Sequence, residues 1–472
     1  MNVAFTKMNL YLSLITLSVL SGCSKDQSGE QDKPRVTSEI STKNQQLSKF
    51  NHAAVNSLFY HDSVIWAVNV GGDEYRGLDG VNYQADKLKM TAEKGHISKI
   101  YGSQDPTIFS TYRVGALHLE HPLDNGSYDI TFKFAEPDDI AMDARVFDVI
   151  AQGIPVLTDL SVRLARDGKH QSALVRSVTD VAVTNGKLDI RFEASAGQAI
   201  LSAIIVRKKV LDTQAWTLVW SDEFDYQGAP DKQKWNFDIW PARKVNDEDQ
   251  TYTSRAKNVR VEDGKLLIEA HKEAYAGAEY TSGRIHTLGK ADFLYGRADI
   301  RAKLPAGQGT WSAIWMLPSD PFKYSSTCQD NEDWQGSASC DAWPNSGEID
   351  IMEHVGFDMH NIHGTVHNKA FYWRNWEQRK ASINGENVDQ AFHLYSIQWT
   401  PDSITVFFDG SPYFSYFNQS GGWQEWPFDH PYHLILNLAI GGAWGRAGGP
   451  IDDSIFPVRM EVDYVRIYQL QE

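Results

Sequence analysis

The chain has 472 residues and carries 45 Lys and Arg against 61 Asp and Glu, a formal net charge of −16. That excess of acid argues against a nucleic-acid or anionic-membrane partner, and mildly against a sulfated polysaccharide unless a local basic cleft overrides the total. A hydrophobic fraction of 42% and a charged fraction of 22% suit an ordinary globular protein with room for two or three domains.

At the N-terminus, Lys7 precedes an apolar run from Met8 to Gly22. The run is too short to span a bilayer but suits the apolar part of a secretory signal. It ends in Leu20-Ser21-Gly22-Cys23, which resembles a bacterial lipoprotein box. The resemblance implies a signal peptide over residues 1–22, a lipidated Cys23 and, from Ser24, outer-membrane sorting. Membrane contact is then through the lipid anchor alone. Residues 23–48 are rich in Ser, Lys, Gln, Glu and Asp and read as a disordered tether.

Residues 49–209 show short strand signals, among them Tyr128–Phe134, Val146–Ile150 and Leu188–Phe192. Asn125-Gly126 and Asn185-Gly186 are expected to turn hairpins between them, giving an all-β sandwich. Asn69-Val70-Gly71-Gly72, Tyr112-Arg113, Asn125–Tyr128, Phe134-Ala135-Glu136 and Arg145–Val149, in that order, resemble the malectin-like carbohydrate-binding fold. The resemblance makes Tyr75, Tyr83 and Tyr112 candidate sugar contacts. The alternative is a module that only packs and spaces.

Lys208–Gln214 marks a junction, and strands resume over 214–472. Val259–Ile268 is a predicted hairpin turning at Asp263-Gly264, and Asp409-Gly410 marks another. An all-β unit of this size suits two curved antiparallel sheets stacked as a jelly roll, with a concave face for a long polymer. Cys328 and Cys340, an even pair in an exported chain, are expected to close a disulfide within one loop.

Gly347–His354 reads G-E-I-D-I-M-E-H. Glu348, Ile349, Asp350 and Ile351 alternate polar and apolar, as on a strand with one face to a core. Glu353 breaks that parity, and burying an unpaired carboxylate is costly. One extra residue at Ile351–Met352, a β-bulge, returns Glu353 to the face of Glu348 and Asp350. Two Glu side chains about 13 Å apart at Cα on a concave strand can then approach to about 5–6 Å, near the spacing of a retaining glycosidase. A merely solvated acidic strand is the alternative. Trp311 and Trp315 share parity and offer a stacking platform for a sugar ring or a core pair. His367 shares parity with His363, and Arg284 and Trp444 are further candidates.

Taken together, Trp220–Phe224, Asn258, Asp263–Leu266, Tyr295–Arg297, Gly309–Pro318, Gly347–Glu353, His367, Trp426–Phe428, Leu436–Trp444 and Asp463–Arg466 resemble the family 16 glycoside hydrolases over residues 214–470. Within that family the six-residue E-x-D-x-x-E and Asn437–Gly442 look most like the endo-β-1,3-glucanases (laminarinases). The resemblance implies a concanavalin-like β-jelly roll and a retaining reaction on β-1,3-glucan. It makes Glu348 the nucleophile, Asp350 the auxiliary acid and Glu353 the acid/base. Trp311, Trp315, Arg284, Asn258, His367 and Trp444 would be substrate contacts. Catalysis needs no cofactor, while a structural calcium is implied at the carbonyls of Glu223 and Gly264 and the side chain of Asp463. The chain is expected to act as a monomer. Mixed-linkage glucan, an algal galactan, or glycan binding without cleavage are the alternatives. The long loop between Pro318 and Gly347 is expected to wall one end of the groove.

Overall fold

The computed structural model describes residues 60–211, 214–328, 332–375 and 377–470; the signal peptide, Cys23 and the tether lie outside them. The all-β reading holds: the described elements are strands joined by turns, with four-residue helices at most.

In the accessory sandwich, strands alternate as a half-buried sheet requires: Val146–Ala151 buries every second residue, and so does most of Lys187–Ala196. Phe132, Phe134, Phe147 and Phe192 meet in its core. A four-stranded sheet, in the order His118–Pro122, Lys187–Ala196, Val146–Ala151 and Ile154–Leu160, contributes one side of that core. Ala173–Val183, Gly126–Ala135 and Ala203–Leu211 contribute the other.

The two Asn-Gly turns are not hairpins. His118–Pro122 pairs with Lys187–Ala196, and Gly126–Ala135 pairs with Ala173–Val183, so each turn arches from one sheet to the other. The two arches fasten to each other, Gly186 N donating to Asn125 Oδ1 (2.8 Å) and Leu123 N to the Gly186 carbonyl (3.0 Å). The turn chemistry was legible; the partner strand, chosen by burial across the sandwich, was not.

Two stacked sheets form the C-terminal unit around a second core that includes Ile349, Ile351, Ile397, Val406, Leu436 and Ile467. Asp263 and Gly264 both have positive φ, 52° and 72°, and close the predicted hairpin between Val259–Glu262 and Lys265–Tyr275. Asp409-Gly410 does the same between Ser403–Phe408 and Ser411–Phe417. Cys328 and Cys340 are disulfide-bonded.

The sheet that bears the acids runs Arg284–His286, Tyr432–Ile440, Thr310–Pro318, Glu348–Val355, Asn361–His367 and Arg379–Asn384. It does not end there. Arg379–Asn384 pairs in parallel with Ala173–Val183 of the accessory sandwich, Arg176 opposite Ser382 and Ser177 opposite Ile383. An edge that would otherwise offer unpaired amides is thereby covered. Beside this joint, Ser411 Oγ donates to Asp129 Oδ2 (2.6 Å), and Gln104 brackets both backbone groups of Phe417 (2.9 Å each).

Candidate active site

The predicted bulge is present. On one side Met352 faces Ile314 and Asp350 faces Trp315, leaving Ile351 as the extra residue. On the other side Asp350 faces Thr365 and Glu353 faces His363, again one residue out of step. Ile349, Ile351 and Met352 are fully buried in the core, and the three acids lie on the opposite face. The unpaired Ile351 carbonyl accepts from buried Tyr413 Oη at 2.5 Å. Gly347 enters the strand at φ 88°, where a Cβ would collide with Tyr432 Oη. That hydroxyl is fixed by the Ser346 carbonyl at 2.6 Å.

Although they face away from the core, the acids are nearly enclosed: the Glu348 side chain is 15% exposed and that of Asp350 4%. The walls come from side chains around them. His367 faces Glu348 in register, its Nε2 3.5 Å from both Glu348 Oε1 and Asp350 Oδ2. The indole of Trp343 hydrogen-bonds Glu348 and packs against His367, ring centroids 5.7 Å apart. The long loop thus reaches Glu348 itself. Trp343 was seen only as part of that loop; no local pattern marked it as a partner of Glu348.

Burial raises the pKa of all three carboxyls, and the charge of Glu353 pushes Glu348 further in the same direction, to about 8. Arg284 and the Trp343 N–H oppose the shift at Glu348. At Glu353, burial carries the carboxyl to about 7 against the Trp311 hydrogen bond and the more distant Lys380. Burial, with Lys380, drives His367 down to about 3, so its imidazole is neutral.

Trp311 and Trp315 share the acid-bearing face and are each partly exposed. Trp311 Nε1 donates to Glu353 Oε1 (3.1 Å), and its ring meets Trp444 edge-on at 5.6 Å. Trp315 Nε1 donates to Asn437 Oδ1 (2.7 Å). Arg284 sits between Trp240 and Trp315, 4.3 and 4.7 Å from the two ring centroids. Asp238 accepts from its Nε at 2.7 Å. Asp238, Trp240 and Asn437 were not read from the sequence as site residues.

Asn258 is not brought to the site. It is fully buried; its amide donates to the Glu269 carbonyl and Thr281 Oγ1, and its oxygen accepts from Thr253 and Arg255. With every polar atom engaged it ties a turn rather than a sugar. Tyr83 likewise is fully buried with its hydroxyl on Asp79, and Tyr75 donates to Asp105, so neither hydroxyl is free for a ligand.

Of the three positions read for calcium, the Asp463 side chain accepts from Arg301 (2.6 Å), and the Glu223 carboxylate is held by Arg466. One carboxylate and two carbonyls are hard oxygen donors of the kind Ca²⁺ takes. An ion there would compete with Arg301 for Asp463.

Comparison with known proteins covers both parts of the chain. The family model described as "Malectin domain" matches residues 64–209, and that described as "Glycosyl hydrolases family 16" matches residues 246–466. A beta-glucanase of Rhodothermus marinus is 49% identical over 263 residues, covering 54% of this chain and 86% of that protein. Glucan endo-1,3-beta-glucosidase A1 of Niallia circulans is 35% identical over 283 residues, covering 54% of this chain and 38% of that protein. The X-ray structure of the laminarinase from Rhodothermus marinus matches with 47% identity and a TM-score of 0.50, covering 55% of this chain and all of that one. The bulged acidic strand and these relatives agree: the chain belongs to the glycosyl hydrolases of family 16, as a glycoside hydrolase that carries a malectin domain ahead of its catalytic unit.

Proposed function

We propose that the protein is a retaining endo-glycosidase that hydrolyses β-1,3-glucan of the laminarin type. The observation that carries this is the bulge after Asp350, which puts Glu348 and Glu353 on one face with different surroundings. Glu348 has Arg284 and Trp343 about it, which favour its charged form against burial and the charge of Glu353, and neutral His367 stands 3.5 Å away. It attacks the anomeric carbon and is neutralised as the glycosyl-enzyme bond forms. Glu348 and Glu353 titrate as a coupled pair, both raised by burial, and the place of Glu353 in the motif assigns it the proton that the leaving oxygen needs. Once Glu348 is esterified its charge is gone, the pKa of Glu353 falls, and Glu353 takes a proton from the incoming water. Asp350 is a tuning partner of Glu348, and His367 Nε2 stands 3.5 Å from both. Relatives named beta-glucanase and glucan endo-1,3-beta-glucosidase support the substrate. Mixed-linkage glucan is the second reading, because the first of those names specifies no linkage.

The test is reducing-sugar release from laminarin, lichenan, agarose and carrageenan, with the anomer of the first product followed by NMR. Release from laminarin with retained configuration, abolished in Glu348→Ser, is expected. No release from laminarin defeats the reading.

We place the enzyme at the outer membrane as a lipoprotein, on the sequence around Cys23; absence of radioactive palmitate incorporation would refute this. A structural Ca²⁺ held by Glu223, Gly264 and Asp463 is proposed on the oxygen donor set alone. It would brace the sheet and supply no step of the reaction. Ca²⁺ should then raise Tm in the wild type over chelator but not in Asp463→Asn.

A further inference from the structure

The row of side chains that contains Glu353 continues past the catalytic unit. Glu353 faces His363, His363 faces Ser382, and Ser382 faces Arg176 of the accessory sandwich. Residues directly opposed on neighbouring strands point to the same side. Arg176 is therefore presented on the acid-bearing face, three strands or about 14 Å from Glu353. The adjacent row runs Asp350, Thr365, Lys380, which sets Lys380 two strands or about 10 Å away.

Both cations are short of counter-charge. Arg176 is 7% exposed; its Nη1 donates to the Val175 carbonyl (3.3 Å), and no carboxylate comes within 4.0 Å of it among the described residues. Among the described residues the one carboxylate within 4.0 Å of Lys380 Nζ is that of Asp167, at 4.0 Å, and it is 68% exposed. Arg166, 3% exposed, adds a third cation and is positioned by Ser172 Oγ at 2.9 Å. The acids facing the group are Asp167, Glu377 beside Arg166, Glu353 beyond Lys380, and Asp358, the last 3.9 Å from His363 Nε2. Burial lowers Arg176 to about 10 against the charge of Asp358, and burial with the charges of Arg166 and Arg176 lowers Lys380 to about 8.

Leaving a guanidinium buried without a partner is costly, and a chain of net charge −16 has no shortage of acids to pair it. This end of the face is also closed in: Asn384, at the end of the edge strand, donates to the Val156 carbonyl (3.0 Å), where the second sheet of the sandwich rises over it.

We propose that the closed end of the cleft, where the malectin domain meets the catalytic sheet, is a subsite for an anionic substituent of the glycan, a sulfate ester or a carboxylate, held by Arg176 and Lys380. The proposal rests on the glycan-hydrolase reading. It gives the accessory domain a role in selecting substrate, and it places a local basic cleft in an acidic protein.

The test uses the full chain with Glu348→Ser, which binds without cutting. Calorimetry compares a neutral β-1,3-linked oligosaccharide with the same chain bearing a sulfate ester, or a carboxylate at an oxidised primary alcohol. At least one anionic ligand should bind tenfold or more tighter, and that gain should disappear in Arg176→Gln and in Lys380→Gln. The arm that shows the gain names the substituent. Equal binding of all three ligands, or a gain that persists in the double variant, overturns the proposal. If no glycan binds, the hydrolase reading fails separately, and melting in sodium sulfate against sodium chloride at equal ionic strength decides. A sulfate-specific rise in Tm lost in Arg176→Gln keeps the anion site; no such rise removes it.

Discussion

Trp311 Nε1 donates to Glu353 Oε1 over 3.1 Å, so the residue offered as a sugar platform is also a hydrogen-bond donor to the acid. The bond favours the charged carboxylate and holds its pKa below what burial alone would give. Trp311→Phe keeps an aromatic face and removes the donor. The alkaline limb of kcat/KM should move to higher pH, with a fall in kcat of roughly tenfold from the lost positioning. A drop in activity without movement of that limb would mean that the indole serves the sugar alone.

Because Glu348 and Glu353 are raised to about 8 and about 7 and titrate as a coupled pair, the active form holds one proton between them, and kcat/KM should fall as pH rises through about 8 and that last proton is lost. Stability follows the same direction. A carboxyl whose folded pKa lies above its unfolded value binds more protons in the folded state. Its contribution is full below the unfolded value near 4.5 and is lost as pH rises through about 7. Glu348 and Asp350 add to this, both raised by burial, Glu348 further by the charge of Glu353 and Asp350 by the charges of Glu348 and Glu353. The Tm should therefore fall between pH 5 and pH 8, and Glu348→Gln, which deletes one of the charges, should flatten that fall. A Tm that climbs over this interval contradicts the raised pKa values.

How much of this was legible in the sequence depended on whether the signal was local. The parity break at Glu353 is a local contradiction between period two and a carboxylate, and a bulge resolves it in only one way. Asp263-Gly264 is local too, since both positions take positive φ. Asn258 looked like a groove residue, yet its four partners come from positions 3 to 23 residues away and enclose it. The Asn-Gly turns were recognisable but not their destinations, because strand partners are set by which faces share a core. Nothing near Ser382 announces that Arg176, some two hundred residues earlier, is its neighbour on the sheet.

The bulge itself has a support that can be removed by one oxygen. Tyr413 Oη satisfies the Ile351 carbonyl in a buried setting. Tyr413→Phe leaves that carbonyl without its donor, at about 1–3 kcal/mol. We expect a lower Tm together with a fall in kcat larger than any change in KM, because Glu353 reaches the acid-bearing face only through the bulge. Unchanged kcat with a lowered Tm would show that the register is fixed by Ile349 and Met352 in the core alone.

The parallel joint between Arg379–Asn384 and Ala173–Val183 makes a prediction about the catalytic unit taken by itself. A chain beginning at residue 214 would uncover the outer amides and carbonyls of Arg379–Asn384, and would leave Ser411 Oγ and both backbone groups of Phe417 without their partners. It would also bare part of a buried apolar surface, since Ala381 and Ile383 belong to the core while their neighbours Val175 and Ser177 lie across the joint. An exposed strand edge next to apolar surface is a template for pairing with another copy. The shortened chain should melt lower than the full one and should associate with rising concentration in sedimentation or size-exclusion measurements. A shortened chain that stays monomeric with the same Tm would mean that the joint contributes nothing, and that the two sandwiches merely lie side by side.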